Sequence, residues 1–169
     1  MKLFYSTKRL NIRYASKDDI NWIMQTERNE ENKNFIFQGT FEDHLHEIES
    51  DDLFLSIIET KDNNQKIGFF ISKYDKISNI FEFRRFAINP KNKGYGTETI
   101  IGLMKHVFNN LSINRFWLDV FTYNKPGIHI YESLGMLREG TIREGYKSNG
   151  IYKDYYIYSI LKKEYKKRV

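Results

Sequence analysis

The stretch that decides the fold is residues 89–101, with the sequence NPKNKGYGTETII. An apolar, strand-like run precedes it, and Pro90 ends that strand because proline has no N–H group to donate to a sheet. Beyond Gly96 the apolar residues recur at steps of three and four, as on one face of a helix. The stretch therefore predicts a strand, a basic loop with two glycines, and a helix that begins near Gly96 or Thr97.

A loop of this composition suits a phosphorylated ligand. The start of a helix leaves about four main-chain N–H groups without partners and carries roughly half a positive charge. Gly94 and Gly96 let the backbone approach a bulky anion, and Lys91 and Lys93 add full charges. The sequence thus predicts a phosphate-binding loop. The alternative is a helix start that merely needs flexible residues.

Two common nucleotide-binding motifs fit the loop poorly. A triphosphate-binding P-loop needs Lys and then Ser or Thr after its last glycine, but Thr97 and Glu98 follow Gly96. A dinucleotide-binding fingerprint needs a third glycine where Thr99 stands, although Asp119 lies at about the right distance downstream. The first motif is excluded, and the second is disfavoured.

The composition indicates one folded domain over residues 1–169, since 40% of the residues are hydrophobic and 16% are aromatic. No apolar run approaches the ~18 residues of a membrane helix, and the first residues lack the apolar core of a signal peptide. Cysteine is absent, which excludes disulfides, cysteine metal sites and a thiol nucleophile. We therefore expect a cytoplasmic protein that does not bind a membrane.

The charge pattern disfavours nucleic acid as a partner. The net charge is +5, but the lysines are spread along the chain, and the densest run, residues 162–168, is terminal. We interpret that run as a solvated tail, with an RNA-binding tail as the alternative. His44 and His46 would lie on different faces of a helix, so no metal site is expected there.

Periodicity and turn signals predict seven strands and four helices in the order βααβββαβαββ. The predicted strands are residues 9–14, 53–60, 66–74, 80–88, 115–121, 137–146 and 151–161. One helix is expected from about residue 18, a second after the cap Thr40, a third over 97–110 and a fourth over 124–136.

Two segments with this spacing resemble the GNAT superfamily of N-acetyltransferases. The family's acetyl-CoA loop has Gln or Arg, two residues, Gly, one residue, and Gly or Ala; residues 91–96 fit this pattern, except that Lys91 replaces Gln or Arg. The predicted fourth helix, residues 124–136, also resembles a motif of one branch of the family, which acts on protein N-termini, polyamines and amino sugars. The positions in register there are Asn124, Tyr131, Ser133, Gly135 and Met136.

The resemblance implies an α/β (α+β) fold with a mixed, mostly antiparallel central sheet of about seven strands and about four flanking helices. The sheet should splay between the strands 80–88 and 115–121. The implied activity is transfer of an acetyl group from acetyl-CoA to a primary amine. Direct attack in a ternary complex is expected because no cysteine can form an acyl-enzyme. A non-catalytic acyl-CoA sensor and an RNA-binding protein are the alternatives.

The resemblance also implies how acetyl-CoA, the one expected cofactor, is held without a metal. Its pantetheine arm should lie along Phe86, Ala87 and Ile88 like an added strand, and Asn124 should contact the arm from the facing helix. Its pyrophosphate should lie on the main-chain amides of Lys91, Asn92, Lys93, Gly94, Tyr95, Gly96 and Thr97.

Two residues are candidates for proton transfer. Tyr131 is the expected general acid, because a phenol with a pKa near 10 is protonated at neutral pH. Glu82 is the expected base, on a strand face that it would share with Arg84, Phe86 and Ile88. The alternatives are that Tyr131 only packs and that Glu82 only pairs with an arginine.

The expected acceptor is a small-molecule amine or a protein N-terminus. The sequence leaves undecided whether the protein forms a homodimer. The resemblance implies that the segment joining the first two helices forms a wall of the acceptor site. Glu27, Glu30 and Glu31 lie near its beginning and would attract a protonated amine. The alternative is that these three glutamates are simply solvated.

Overall fold

The computed structural model describes residues 2–148 and 150–166, which contain one eight-stranded sheet. The strand order is β1-β2-β3-β4-β5-β6-β8-β7, and every pair is antiparallel except β5 and β6. The sheet is therefore mixed and mostly antiparallel, as predicted. The strands are β1 (Leu3–Ser6), β2 (Leu10–Tyr14), β3 (Leu53–Thr60), β4 (Lys66–Asp75), β5 (Ile80–Ile88), β6 (Arg115–Phe121), β7 (Leu137–Ser148) and β8 (Ile151–Leu161).

Local capping explains where the helices begin. Thr40 accepts a hydrogen bond from the Asp43 N–H group at 3.1 Å, which forms a capping box.

No helix among residues 2–148 and 150–166 is long and apolar enough to cross a membrane. The helices are α1 (Ile20–Arg28), preceded by a 3₁₀ turn (Lys17–Asp19), α2 (Phe41–Glu49), α3 (Tyr95–Asn110), α4 (Lys125–Ser133) and α5 (Lys162–Tyr165).

The structure has one strand and one helix more than predicted. β1 is only four residues long, too short for side-chain alternation to show, and a tight turn in which the Thr7 N–H donates to the Leu10 carbonyl pairs it with β2. α5 falls within the run interpreted as a solvated tail. Lys167 and Arg168 of that run, and Asn149 of the last predicted turn, lie outside the described residues.

The sheet separates two layers of helices. α3 and α4 pack on one face against an aromatic cluster that includes Phe81, Phe83 and Phe116. α1 and α2 cover the other face over a smaller cluster that includes Ile57 and Phe69. Each face of the central strands is therefore buried, which explains their nearly continuous apolar sequences.

A β-bulge interrupts the pairing of β5 with β4. Phe83 lies opposite Ser72 and Phe86 lies opposite Phe70, so β5 has two residues, 84 and 85, where β4 has one. An extra residue of this kind reverses the alternation of the side chains beyond it.

The bulge corrects one expectation from the sequence. The rings of Phe83 and Phe86 are 5.3 Å apart in the α3 layer, which also contains Ile88. Glu82 alternates with Phe83 and so faces α1 and α2, as does Ala87. The prediction that Glu82 shares a face with Phe86 and Ile88 was wrong, because strict alternation does not continue through a bulge.

The splay between β5 and β6 is confirmed. These parallel strands pair only at Ile80 with Arg115, Phe81 with Phe116 and Glu82 with Trp117. Beyond Glu82 they diverge, and residues 83–88 have no strand partner on that side within the described part of the chain. The gap exposes main-chain hydrogen-bonding groups of β5.

Candidate active site

The gap between β5 and β6 opens into a cleft of about 620 Å³. Its walls come from β5, β6, α2, α4, the connector between α1 and α2 (residues 29–40), and the β7–β8 hairpin. Four of the residues predicted from the sequence line this cleft together: Glu82, Phe86, Asn124 and Tyr131. They come from two elements, β5 and α4 with its N-cap Asn124, which face each other across the gap.

The glycine loop ends at the start of α3. Gly94, the N-cap, is in the left-handed region with φ 74°, which glycine adopts without strain. Among the residues that the structure describes, no acceptor receives the main-chain N–H groups of residues 94–97. Free amides at a helix start form a cradle for an anion.

Arg9 braces this loop from the turn between β1 and β2. Its Nε lies 2.6 Å from Glu98 Oε2, and its Nη1 donates to the Lys93 carbonyl at 3.1 Å. The guanidinium also lies 4.5 Å from the centre of the Tyr95 ring. Arg9 thus contacts the loop on both sides of Gly94. No sequence pattern revealed this, because more than eighty residues separate the partners.

Lys91 is turned toward the connector that follows α1. Its Nζ donates to Asn32 Oδ1 at 2.8 Å. Desolvation of the ammonium group lowers the pKa of Lys91, and the nearby Glu31 carboxylate opposes that shift. The loop is therefore tied to the connector, and contact of Lys91 with a phosphate stays a prediction.

Tyr131 on α4 is only 7% exposed, and its ring centre lies 6.2 Å from that of Tyr158. Within the described residues its hydroxyl group has no hydrogen-bond partner, although it borders the cleft. Burial raises the pKa of Tyr131 well above its ordinary value, and the negative charge of Asp119 adds to the effect. The hydroxyl is therefore protonated at neutral pH and available as a donor.

Two carboxyl groups in the cleft have raised pKa values. Desolvation raises the pKa of Glu82, against the opposing charge of Arg84, whose Nε lies 3.3 Å from Glu82 Oε1. Desolvation likewise raises the pKa of Asp119 on β6. Carboxyl groups with raised pKa values in a cleft are candidates for proton transfer. Sequence reasoning did not assign Asp119 to this site; its one signal was an acidic residue in the apolar strand RFWLDVF.

Glu27 lies in the interior and not on a solvated wall. It is fully buried on the inner face of α1 and does not line the cleft. Its carboxylate accepts hydrogen bonds from Arg85 Nη1 at 2.8 Å and from the Gly39 N–H group at 2.9 Å. These contacts tie α1 to β5 and to the end of the connector.

His44 on α2 completes this buried network. Its Nε2 lies 3.2 Å from Glu27 and its Nδ1 lies 2.8 Å from Glu47. Burial alone would lower the pKa of His44, but its hydrogen bonds to Glu27 and Glu47 outweigh burial and raise the pKa to about 9. Arg85 also lies 3.6 Å from Glu47, so two cations and two anions alternate from the interior to the wall of the cleft, which Arg85 and Glu47 line.

The buried histidine should make stability depend on pH. Because its pKa is raised above the unfolded value of about 6.5, its stabilisation is fully present below pH 6.5 and is lost as the pH rises through about 9. Urea unfolding of the wild type and of His44→Gln should therefore differ by a few kcal/mol at low pH, and the difference should shrink above pH 9. The exposed His129→Gln is the control. A difference that is constant with pH would contradict this role.

Glu30 and Glu31 lie outside the cleft. The side chain of Glu30 is 85% exposed and pairs with Lys33 at 2.6 Å, and Glu31 is exposed near Lys91. The connector contributes Phe35, Ile36 and Phe37 to the cleft instead. Attraction of the acceptor by Glu30 and Glu31 stays a prediction. Within the described ranges, no three His, Asp or Glu side chains are grouped to hold a metal.

The splayed sheet, the amide cradle at the start of α3 and the cleft behind it are the architecture of an acyl-CoA-dependent acyltransferase. The family described as "Acetyltransferase (GNAT) domain" matches residues 7–137. The chain belongs to this GNAT acetyltransferase family, whose members use acetyl-CoA, and the resemblance inferred from the sequence is confirmed.

Several curated proteins are similar to the chain. Spermidine N(1)-acetyltransferase of Vibrio cholerae is 25% identical over 170 residues, which cover 95% of the chain and 97% of that protein. The uncharacterized N-acetyltransferase p20 of Bacillus licheniformis is 35% identical over 77 residues, 46% of the chain and 43% of that protein. The prophage-derived uncharacterized N-acetyltransferase YokL of Bacillus subtilis is 28% identical over 121 residues, 70% of the chain and 61% of that protein. The chain thus matches less than two thirds of the length of p20 and YokL.

Solved structures confirm the fold. The spermidine N-acetyltransferase of Vibrio cholerae in complex with CoA and spermine superposes with a TM-score of 0.80 at 23% identity, covering 92% of the chain and 97% of that structure. A GNAT-family acetyltransferase of Bacillus anthracis gives a TM-score of 0.79 at 23% identity, covering 96% and 100%. The predicted GNAT fold is therefore correct.

Proposed function

We propose that this protein transfers the acetyl group of acetyl-CoA directly to a primary amine. The observation that carries the proposal is that Tyr131, Glu82 and Asn124 border one cleft beside the unpaired edge of β5. Membership of the GNAT family supports the reaction class. The name of the Vibrio cholerae relative, spermidine N(1)-acetyltransferase, supports an amine as the acceptor.

The chain offers a matching surface for acetyl-CoA, which supplies the acyl group as a thioester. The N–H groups of residues 94–97 bind its pyrophosphate, helped by the positive end of α3. The main chain of residues 86–88, which is paired with β4 but has no strand partner on the β6 side, hydrogen-bonds the amides of the pantetheine arm, as a strand would. Asn124, whose Oδ1 already accepts from the Gly127 N–H at 3.1 Å, faces the arm across the cleft.

Two protons must move during the reaction. Glu82 takes one from the attacking amine, and its raised pKa makes it a better base than an ordinary carboxylate. Tyr131 donates toward the sulfur as that atom becomes negative. The high pKa of Tyr131 keeps the proton in place until then. Asp119 lies near both groups and holds negative charge where a protonated amine would enter.

Thermal unfolding tests the proposal. Acetyl-CoA should raise the melting temperature, whereas NAD and ATP should not, because neither offers the arm that fits along β5. A ligand at about 100 times its dissociation constant adds about 2.7 kcal/mol to the free energy of unfolding. Thiol release should then be measured with a panel of primary amines that includes spermidine and a peptide with a free N-terminus.

The two readouts separate the possible failures. An unchanged melting temperature at millimolar acetyl-CoA would overturn the proposal. A raised melting temperature without thiol release for any amine would instead define a non-catalytic acyl-CoA sensor.

A further inference from the structure

A second cavity of about 490 Å³ adjoins the cleft, and we call it the outer cavity. It lies between the connector and the end of the β7–β8 hairpin. Three aromatic residues border both spaces: Phe37, Phe121 and Tyr146. The ring of Tyr146 lies 5.4 Å from that of Phe121 and 6.1 Å from that of Phe37. An elongated acceptor with its amine in the cleft would therefore reach the outer cavity along this aromatic wall.

The two spaces have opposite charge. Four carboxylic residues line the cleft, whereas the described lining of the outer cavity contains two lysines and no acidic residue. Two of these carboxylates are paired with arginines of the cleft, Glu82 with Arg84 at 3.3 Å and Glu47 with Arg85 at 3.6 Å. Asp43 and Asp119 have no ion-pair partner among the described residues, so they carry the negative charge of the cleft. A molecule that bridges the two spaces thus meets a negative region at one end and a positive region at the other.

Lys153 on β8 supplies the positive charge of the outer cavity. Its ammonium group lies 5.4 Å from the ring centre of Phe121 and 5.5 Å from that of Tyr123, which hold it in place. Among the described residues, no carboxylate lies within ion-pair distance of it. Lys33, the other lysine, is paired with Glu30 at 2.6 Å. A half-buried cation without a counter-charge favours an anion at this point.

We propose that the outer cavity binds an anionic group, a carboxylate or a phosphate, on the same molecule whose amine is acetylated in the cleft. The inference rests on the proposed function and narrows its acceptor to a class that carries both an amine and a distant anion. A linear polyamine would instead place a second cation beside Lys153. Like-charge contact of this kind selects against a ligand.

Matched acceptors test this charge preference. We would compare ω-amino carboxylic acids of increasing chain length with the n-alkylamines and α,ω-diamines of the same length, and repeat the best length with an ω-aminoalkyl phosphate. At low salt the best amino acid should exceed its alkylamine about tenfold in kcat/KM, and the diamine should fall below the alkylamine. The phosphate arm distinguishes the two anions that the cavity can accept.

Variants connect the preference to Lys153. Lys153→Gln should lower the ratio of kcat/KM for the amino acid over the alkylamine about tenfold. Lys153→Glu should make the diamine a better acceptor than the amino acid. Lys105→Gln, on the exposed face of α3, removes the same charge elsewhere and should keep the wild-type ratio. An equal ratio in the wild type and Lys153→Gln, or a wild type that prefers the diamine, would overturn the proposal.

A binding measurement keeps this test separate from failure of the proposed function. With CoA present, the ω-amino acid should raise the melting temperature of the wild type more than that of Lys153→Gln, whether or not acetyl transfer takes place. Equal stabilisation of the two proteins would contradict the proposed anion site even if acetyl transfer is confirmed.

Discussion

Replacing Tyr131 with phenylalanine should lower kcat by roughly 10²–10⁴-fold while the affinity for CoA stays the same. The ring is buried in the α4 layer and remains in the variant, so packing is kept. The hydroxyl group makes no hydrogen bond within the described residues, so its removal leaves no buried partner unsatisfied. What the variant lacks is the hydroxyl group that we propose as the proton donor to the departing sulfur.

The measurement is steady-state thiol release together with CoA binding by calorimetry. Tyr158→Phe is a matched control, because Tyr158 is also buried but its hydroxyl group donates to Glu132 at 2.7 Å instead of facing the cleft. Glu82→Gln in the same assay tests the proposed base, with Asp119→Asn beside it. Full activity in Tyr131→Phe would return this tyrosine to a packing role.

Replacing Gly96 with valine should abolish acetyl-CoA binding without unfolding the protein. A Cβ atom at Gly96 would lie 3.6 Å from the Phe86 ring and 3.7 Å from Ile88, which are ordinary contact distances. The fold therefore has room for the first carbon, but the two further methyl groups of valine would crowd the space between the start of α3 and β5, next to the free amides, where we propose that acetyl-CoA binds. The stabilisation of about 2.7 kcal/mol expected from saturating acetyl-CoA should vanish.

Gly96→Ala sharpens this prediction, because alanine inside a helix is roughly 0.5–1 kcal/mol more stable than glycine. The alanine variant should melt no lower than the wild type without ligand and should still bind acetyl-CoA more weakly. Gly140→Val is the control, since nothing lies within 4 Å of a Cβ atom there. Gly94 is less informative because its φ of 74° would strain any other residue. Retained affinity in Gly96→Val would show that the cofactor binds elsewhere.

The sequence predicted those parts of the protein that local patterns determine. β3, β5, β6 and β8 have the predicted bounds because apolar runs and turn residues mark them. The amide cradle was predicted because Pro90, Gly94 and Gly96 each have a local conformational meaning.

Other features depend on partners far along the chain. Glu27 looked like part of a surface run because its neighbours are Asn, Glu and Arg, whereas Arg85 and His44 bury it. Asp119 gained its significance only when the splay placed it near Tyr131. The charge difference between the cleft and the outer cavity also depends on the β7–β8 hairpin approaching the connector, and no periodicity encodes that approach.

The extra residue at positions 84 and 85 divides β5 into two parts whose side chains alternate out of phase with each other. Before it, odd-numbered residues such as Phe83 face α3; after it, even-numbered Phe86 and Ile88 do. Deleting residue 84 or 85 would remove the bulge, and Phe86 and Ile88 would still face α3, now in regular alternation with Phe83. What such a deletion would remove is the bend and the stronger local twist that a bulge gives its strand, at the point where β5 leaves β6. The extra residue therefore determines the path of β5 beside the cleft and not which of its large side chains face α3.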